Sequence, residues 1–343
     1  MSGPIGGKTT SFLLSVNREE TDSQGIVNAF TLAGPVRANV PTPQRNLEIS
    51  GTITHAVGKK QTLTLRATYQ HETVTNEGVG GTTLPEGASN SSDREEQLIF
   101  SHQVVFNQKL VNQVRLLVGH DRAPTVSLTQ APGINVNDAF SGGGAQSDSV
   151  DTETHFTLND TLAWSSPRHL IKAGFAIPDW SRRASDDHSN MGGTFSFASL
   201  DDYAAGRPYR FVQQRGDGRL LFTYKVLAMF VQDEIAVRPN VSVSVGMRYD
   251  WLSFYGDRNN LGPRVSFAYA PGSRAGTVIR GGAGLFYDRT GEGPIADVLH
   301  SSQGRLFRYI LVDPGYPNPL IAGTSLADQP PSLVQLSPTL NIP

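Results

Sequence analysis

The 343 residues contain no cysteine, which excludes a disulfide framework and any thiolate metal site. No run of about 18 apolar residues occurs, so a transmembrane helix is excluded. Charge is sparse and balanced, 29 Lys and Arg against 31 Asp and Glu, and this gives no basic face with which to hold nucleic acid. The first residues, Met1-Ser-Gly-Pro-Ile-Gly-Gly-Lys8, lack the apolar stretch of a signal peptide. An exported protein with this start is expected to be incomplete at its N-terminus. A mean hydropathy of -0.27 suits a soluble β protein and a membrane barrel equally, because a barrel strand needs only every second residue apolar.

What the chain does have is a rhythm. Val241-Ser-Val-Ser-Val-Gly-Met-Arg-Tyr-Asp-Trp251 places apolar side chains at alternate positions, the signature of a strand with one apolar face. Its length also suits a tilted strand crossing a bilayer. About twelve such segments are predicted, at residues 9–18, 46–56, 61–71, 97–106, 110–119, 152–164, 170–177, 220–237, 241–251, 262–270, 277–288 and, weakly, 304–312. Short turns join them in pairs, at residues 57–60, 107–109, 165–168, 238–240 and 271–275.

The opposite ends are unlike these turns. Residues 75–93, 124–149 and 185–218 are long and rich in Gly, Ser, Asn and Asp. Structureless loops of this length are uncommon in compact soluble domains, whereas long loops mark the extracellular side of a barrel. Within the third loop, Ser199-Leu-Asp-Asp202 reads as a capping box and Tyr203-Ala-Ala-Gly206 as the end of a short helix. Trp164, Trp180 and Trp251 fall at or just beyond the predicted strand ends, where interfacial aromatic girdles place them. The predicted fold is therefore all-β, an antiparallel transmembrane barrel segment with short periplasmic turns and long extracellular loops.

Four stretches resemble TonB-dependent outer-membrane receptors of the Oar-like group. They are Gly3-Pro-Ile-Gly-Gly-Lys-Thr-Thr-Ser-Phe12; Gly193-Thr-Phe-Ser-Phe-Ala-Ser-Leu-Asp-Asp-Tyr-Ala-Ala-Gly-Arg-Pro208; Phe230-Val-Gln-Asp-Glu-Ile-Ala-Val-Arg-Pro-Asn240 with Gly246-Met-Arg-Tyr-Asp250; and Asn260-Leu-Gly-Pro-Arg-Val-Ser-Phe-Ala-Tyr-Ala-Pro271 with Arg280-Gly-Gly-Ala-Gly-Leu-Phe-Tyr-Asp-Arg289. The resemblance implies that residues 1–343 are part of a receptor barrel with no signal peptide, TonB box or plug in this chain. It also implies a place in the outer membrane of a Gram-negative type cell and uptake of a scarce, bulky or peptide-like ligand. The implied partners are outer-membrane lipid, an unknown extracellular ligand, and the TonB complex through regions missing from this chain. The Gln232-Asp233-Glu234 and Arg248-Tyr249-Asp250 stretches are expected to support the barrel rather than to bind ligand.

No catalytic chemistry emerges. Gly6-Gly7-Lys8-Thr9 lacks the first glycine of a phosphate loop, since Ser2 stands there. Gly281-Gly-Ala-Gly284 lacks dinucleotide-fingerprint spacing and falls inside a strand, where glycines permit close packing. His55, His71, His102, His120, His155, His169, His188 and His300 are scattered. Asp186-Asp187-His188 reads as a solvated loop, and Asp201-Asp202 as carboxylates favoured at a helix N-terminus. Glu19-Glu20 and Glu95-Glu96 are adjacent, so on a strand their carboxylates face opposite ways. No enzyme, cofactor or metal site is expected. Ligand contacts are expected in the three long loops, with no individual residue assigned. Two other readings stay open: a structural or adhesive surface β protein, and a small self-closing pore.

Overall fold

The computed structural model describes residues 1–254, 256, 258–271, 276–287, 292–302, 305–320 and 331–332. In chain order its strands are β1 (Ser2–Pro4), β2 (Thr10–Thr21), β3 (Gln24–Thr31), β4 (Gly34–Pro41), β5 (Gln44–Val57), β6 (Gln61–Glu77), β7 (Ser89–Asn107), β8 (Leu110–Ser127), β9 (Gly133–Val136), β10 (Phe140–Gly143), β11 (Ser149–Ser165), β12 (His169–Asp187), β13 (Thr194–Phe197), β14 (Arg210–Gly216), β15 (Arg219–Arg238), β16 (Val241–Leu252), β17 (Leu261–Tyr269), β18 (Ile279–Gly284) and β19 (Leu306–Val312). Two α-helices, α1 (Leu200–Ala204) and α2 (Glu292–Ser302), and a 3-10 turn at Pro85–Gly87 complete the described residues. No helix among the described residues is long and apolar enough to cross a membrane.

Twelve strands form one antiparallel sheet in the order β1-β2-β5-β6-β7-β8-β11-β12-β15-β16-β17-β18. Alternation makes one face apolar and the other polar. A single row of register partners on the apolar face runs Leu14, Gly51, Ala67, Leu98, Val118, Phe156 and Trp180, then reaches Lys225. A lower row runs from Met247 through Val231, Ala173, Leu162, Asn112 and Val104 to Gln61, beside a turn. The apolar band thus crosses the hydrogen-bond rows obliquely, which is how strands tilted in a barrel wall keep their apolar stretches at one depth. Polar residues on this face pair locally: Asn112 Nδ2 donates to Asp160 Oδ1 at 2.5 Å, and His169 Nδ1 lies 2.7 Å from Asp233 Oδ2.

The predicted strands are present, but many run further than expected. β7 and β12 have 19 residues and β15 has 20, against the roughly 9–11 needed to cross a bilayer. Trp180 is accordingly inside β12, whereas Trp164 and Trp251 stand one residue from the ends of β11 and β16, as expected. The short turns at 57–60, 107–109, 165–168 and 238–240 fall where predicted, with Gly58 at φ +63° closing the β5–β6 hairpin, while residues 272–275 of the fifth lie outside the described residues. One assignment needs correction. Residues 304–312 do not join the large sheet: β19 pairs with β14, and the twelfth strand is β1. The Pro- and Gly-containing segment before β5 is also ordered, as the β3–β4 hairpin.

The three long connections are not structureless. Strands β10-β9-β13-β14-β19 build a second sheet of five, and the β3–β4 hairpin packs beside it. Val27, Ala29, Phe140, Phe195, Phe197 and Phe211 form their shared core, with Tyr203 and Tyr316 against it. The rings meet mostly edge to face, Phe197–Tyr203 at 5.0 Å and Phe195–Tyr316 at 5.1 Å between centroids, the geometry that aromatic quadrupoles favour. α1 starts as predicted: Ser199 Oγ accepts from the Asp202 backbone N–H at 3.1 Å, and Gly206 follows at φ +64°.

Candidate ligand site on the polar face of the sheet

Above the apolar band, the upper halves of β7, β8 and β12 carry charge on both faces, and that of β11 on its polar face. The polar face there carries one row of directly opposed residues: Gln70, Glu95, Asp121, Glu153, Arg183 and Phe222. Three carboxylates on adjacent strands thus face one another. The guanidinium of Arg183 meets them at one end. Its Nη2 donates to Glu153 Oε1 and to Asp179 Oδ2, both at 3.1 Å, and its Nε to Ser181 Oγ at 2.9 Å. Its Cζ sits 5.8 Å from the Tyr224 ring centroid.

One row below, Gly119, His155, Ser181 and Tyr224 are register partners. His155 Nδ1 lies 3.1 Å from Asp121 Oδ2 and 3.7 Å from Glu153 Oε1. Burial raises the pKa of Glu95, Asp121 and Glu153. Neighbouring carboxylates push in the same direction, and His155, with Arg183 at Glu153, only partly offsets this. These groups stand outside the membrane-crossing part of their strands, because their neighbours on the opposite face are Arg94, Glu96, His120 and Arg122 rather than apolar residues.

A pocket of about 490 Å³ opens onto this row, lined by Asp93, Asp121, Asp151, Glu153, Arg183 and Phe222 among others. Gly293 and Ala296 of α2 form its far wall. α2 is held there by Ile295, which is buried with Tyr224, Val226 and Leu252 on the same sheet face. The site is therefore polar, acidic and roofed by a short helix. Among the described residues no group of three or more His, Asp or Glu is arranged to hold a metal ion.

The sequence motifs fall into supporting roles. Gly6 and Gly7 form the β1–β2 turn with positive φ. Gly281 makes room for the Phe267 ring, which a Cβ would approach to 2.7 Å. Gln232 points to the polar face while Asp233 pairs with His169 on the other, and Arg248 clasps Asp250 through two bonds of 2.7 and 2.8 Å. Asp186 lies 3.3 Å from His188 and 3.7 Å from Arg219. Glu95 and Glu96 do face opposite ways, Glu95 into the pocket row and Glu96 beside Arg94. Of the loops 75–93, 124–149 and 185–218, only the terminal residues Asp93 and Ser185, both in strands, line the pocket. Asp121, Glu153, Asp179 and Arg183 carried no sequence signal of their own, because only strand register brings them together.

The sequence profile of the outer membrane beta-barrel domain family matches residues 20–260 and 253–305. The chain belongs to this family. Its sheet is a stretch of outer-membrane barrel, with the apolar face toward lipid and the polar face toward the lumen. No curated protein matches by sequence. Solved structures share the fold: the outer membrane transporter YddB from Escherichia coli (TM-score 0.66, 13% identity, covering 91% of this chain and 40% of that one), the siderophore receptor PirA from Acinetobacter baumannii (0.56, 14%, 84% and 40%), and the ferric enterobactin receptor PfeA of Pseudomonas aeruginosa in a mutant form (0.53, 15%, 80% and 38%). The chain spans about 40% of the length of these proteins. At the level of fold, the resemblance to TonB-dependent receptors is borne out, and the chain is placed in a Gram-negative outer membrane.

Proposed function

We propose that residues 1–343 are part of a TonB-dependent receptor barrel that takes up a ligand across the outer membrane. The carrying observation is the vertical arrangement: lipid-facing band below, ordered cap above, and between them a roofed polar pocket on the lumen face. A cap with its own aromatic core offers a fixed surface for capture, and the pocket beneath it offers a second station. Four carboxylates against one guanidinium in that pocket favour a neutral or basic ligand, such as a peptide, over an anionic ferric chelate. The neighbours named as siderophore receptors share the fold at identities of 13–15%, which does not carry their ligands over.

The self-closing pore is the weaker reading. The large sheet ends at β1 on one side and β18 on the other, and no ladder joins these edges among the described residues. The chain is read instead as a wall segment completed by further strands of the receptor, with the TonB complex engaged through regions outside this chain.

The test uses cells expressing the receptor that contains this segment, and follows accumulation of a labelled lysine-rich peptide and of a ferric catecholate. Peptide uptake that stops when the proton-motive force is collapsed, and that falls in Asp121→Asn/Glu153→Gln, is the expected result. Uptake indifferent to the proton-motive force would overturn the energised-receptor reading. Uptake of the ferric catecholate alone would overturn the ligand class.

A further inference from the structure

The lipid-facing surface carries a basic patch where the apolar band gives way to polar residues. Arg94, Glu96, His120, Arg122, Arg182 and Lys225 all project from this face of β7, β8, β12 and β15. Lys225 ends the row Leu98, Val118, Phe156 and Trp180, and the others stand directly above it. Lys225 Nζ lies over the Trp180 ring at 4.5 Å from its centroid, which marks this depth as the interface where amphipathic rings settle.

Three observations distinguish the patch from ordinary surface charge. First, Arg94 and Arg122 are direct register partners across β7 and β8, and like charges so placed repel. Arg94 is relieved by Glu96. Second, the side chains of Arg122 and Arg182 are exposed and have neither ion-pair nor hydrogen-bond partner among the described residues. Third, the charges are sorted through the sheet: at the same height the lumen face holds Glu95, Asp121 and Glu153, while the outer face holds the cations. Glu96 is the one carboxylate on the outer face of this patch.

From these we infer that Arg122 and Arg182, with Arg94 and Lys225 at the flanks, bind the phosphorylated headgroup of a lipid in the outer leaflet. A phosphate between Arg94 and Arg122 removes their repulsion, and guanidinium forks suit phosphate oxygens in pairs. The acyl chains of the same lipid cover Leu98, Val118 and Phe156 below. The site depends on the outer-membrane placement of the barrel and not on what the lumen transports, so its failure leaves the uptake reading untouched.

The test measures binding of diphosphoryl lipid A, presented in dodecyl maltoside micelles, to the purified receptor that contains this segment, by native mass spectrometry. Phosphatidylcholine serves as the neutral lipid and inorganic phosphate as the soluble competitor. Arg122→Gln/Arg182→Gln is expected to weaken lipid A binding roughly tenfold or more, the scale of losing two charge-assisted contacts. Arg215→Gln in the cap is expected to leave it unchanged. Arg122→Lys/Arg182→Lys keeps both charges and is expected to retain most of the binding, which guards against a variant that merely misfolds. Equal binding by the glutamine pair and the parent, equal retention of phosphatidylcholine, or displacement of lipid A by equimolar inorganic phosphate would each overturn the assignment.

Discussion

Gly119 and His155 face each other across β8 and β11 so closely that a Cβ on Gly119 would lie 2.4 Å from the His155 ring. The imidazole rests where a side chain would otherwise stand, and this holds its Nδ1 beside Asp121 at 3.1 Å. Gly119→Ala is therefore expected to displace His155 and destabilise the barrel wall by about 1–3 kcal/mol, the cost of overpacking. His155→Ala in the same chain should recover part of that loss, since it vacates the space. Urea unfolding in detergent of the two single variants and the double variant measures it. Additive losses would show that the two residues do not share the space.

Arg183 is the cation that Glu153 and Asp179 share at the pocket. All three side chains are largely buried, so removing the guanidinium strands two carboxylates in a poorly solvated place. Arg183→Met is expected to cost about 3 kcal/mol or more by the same unfolding measurement. Arg183→Lys should recover little, because an ammonium cannot reach Ser181, Glu153 and Asp179 with a planar fork. Full recovery by lysine would mean that charge alone matters there.

The row Glu95, Asp121 and Glu153 also predicts a pH response with a definite sign. Each has a folded-state pKa raised by burial above its ordinary value, 4.5 for the glutamates and 3.8 for the aspartate. Between the ordinary and the raised value the folded chain holds more protons than the unfolded one, so stability falls as pH rises through that window. Above the raised values the full penalty applies. Glu95→Gln/Asp121→Asn/Glu153→Gln is expected to flatten the pH dependence of the unfolding midpoint on the acid side of neutrality. A triple variant whose profile keeps the parent's slope would show that other groups set it.

On the lipid face, Asn112 and Asp160 satisfy each other in the apolar band. Asn112→Leu leaves the Asp160 carboxylate facing hydrocarbon without that donor, and is expected to destabilise by about 1–3 kcal/mol. Asn112→Leu/Asp160→Leu, which removes both polar groups, should be milder than the single change. A double variant worse than either single one would place the pair in water rather than lipid.

The cap is expected to open separately from the wall. Ser199→Ala removes the acceptor for the Asp202 N–H and should cost about 1 kcal/mol. Amide exchange should quicken in α1 and its neighbours while β11 and β12 stay protected. Uniform loss of protection would show cap and wall to be one cooperative unit.

Much of this was legible from single strands. Period-two alternation gave the large sheet in 61–71 and 241–251 because side-chain direction is fixed by the backbone alone. Short turns such as 57–60 followed from a glycine and a polar pair breaking the apolar alternation, and Ser199 signalled its helix through a hydroxyl placed to cap it. The failures share one cause. Residues 304–312 looked like a barrel strand because alternation does not say which sheet a strand will join. The long loops looked structureless because Val27, Phe140, Phe195 and Phe211 are far apart in the chain and become a core only when β3, β10, β13 and β14 meet. α2 was missed because its apolar anchors are few, Ile295 and Leu299, and meet Tyr224, Val226 and Leu252 only in the folded sheet.

The amino-acid order by itself therefore determined the class of structure, the two chemically opposite sheet faces and the depth at which the strands meet lipid. These depend on neighbours two residues apart. Tertiary structure alone decided the site. Glu95, Asp121, Glu153 and Arg183 are ordinary charges in sequence, and so are Arg94, Arg122 and Arg182. Only the strand registers put the first set in one row toward the lumen and the second in one patch toward the lipid, since electrostatic coupling depends on distance through space and not along the chain.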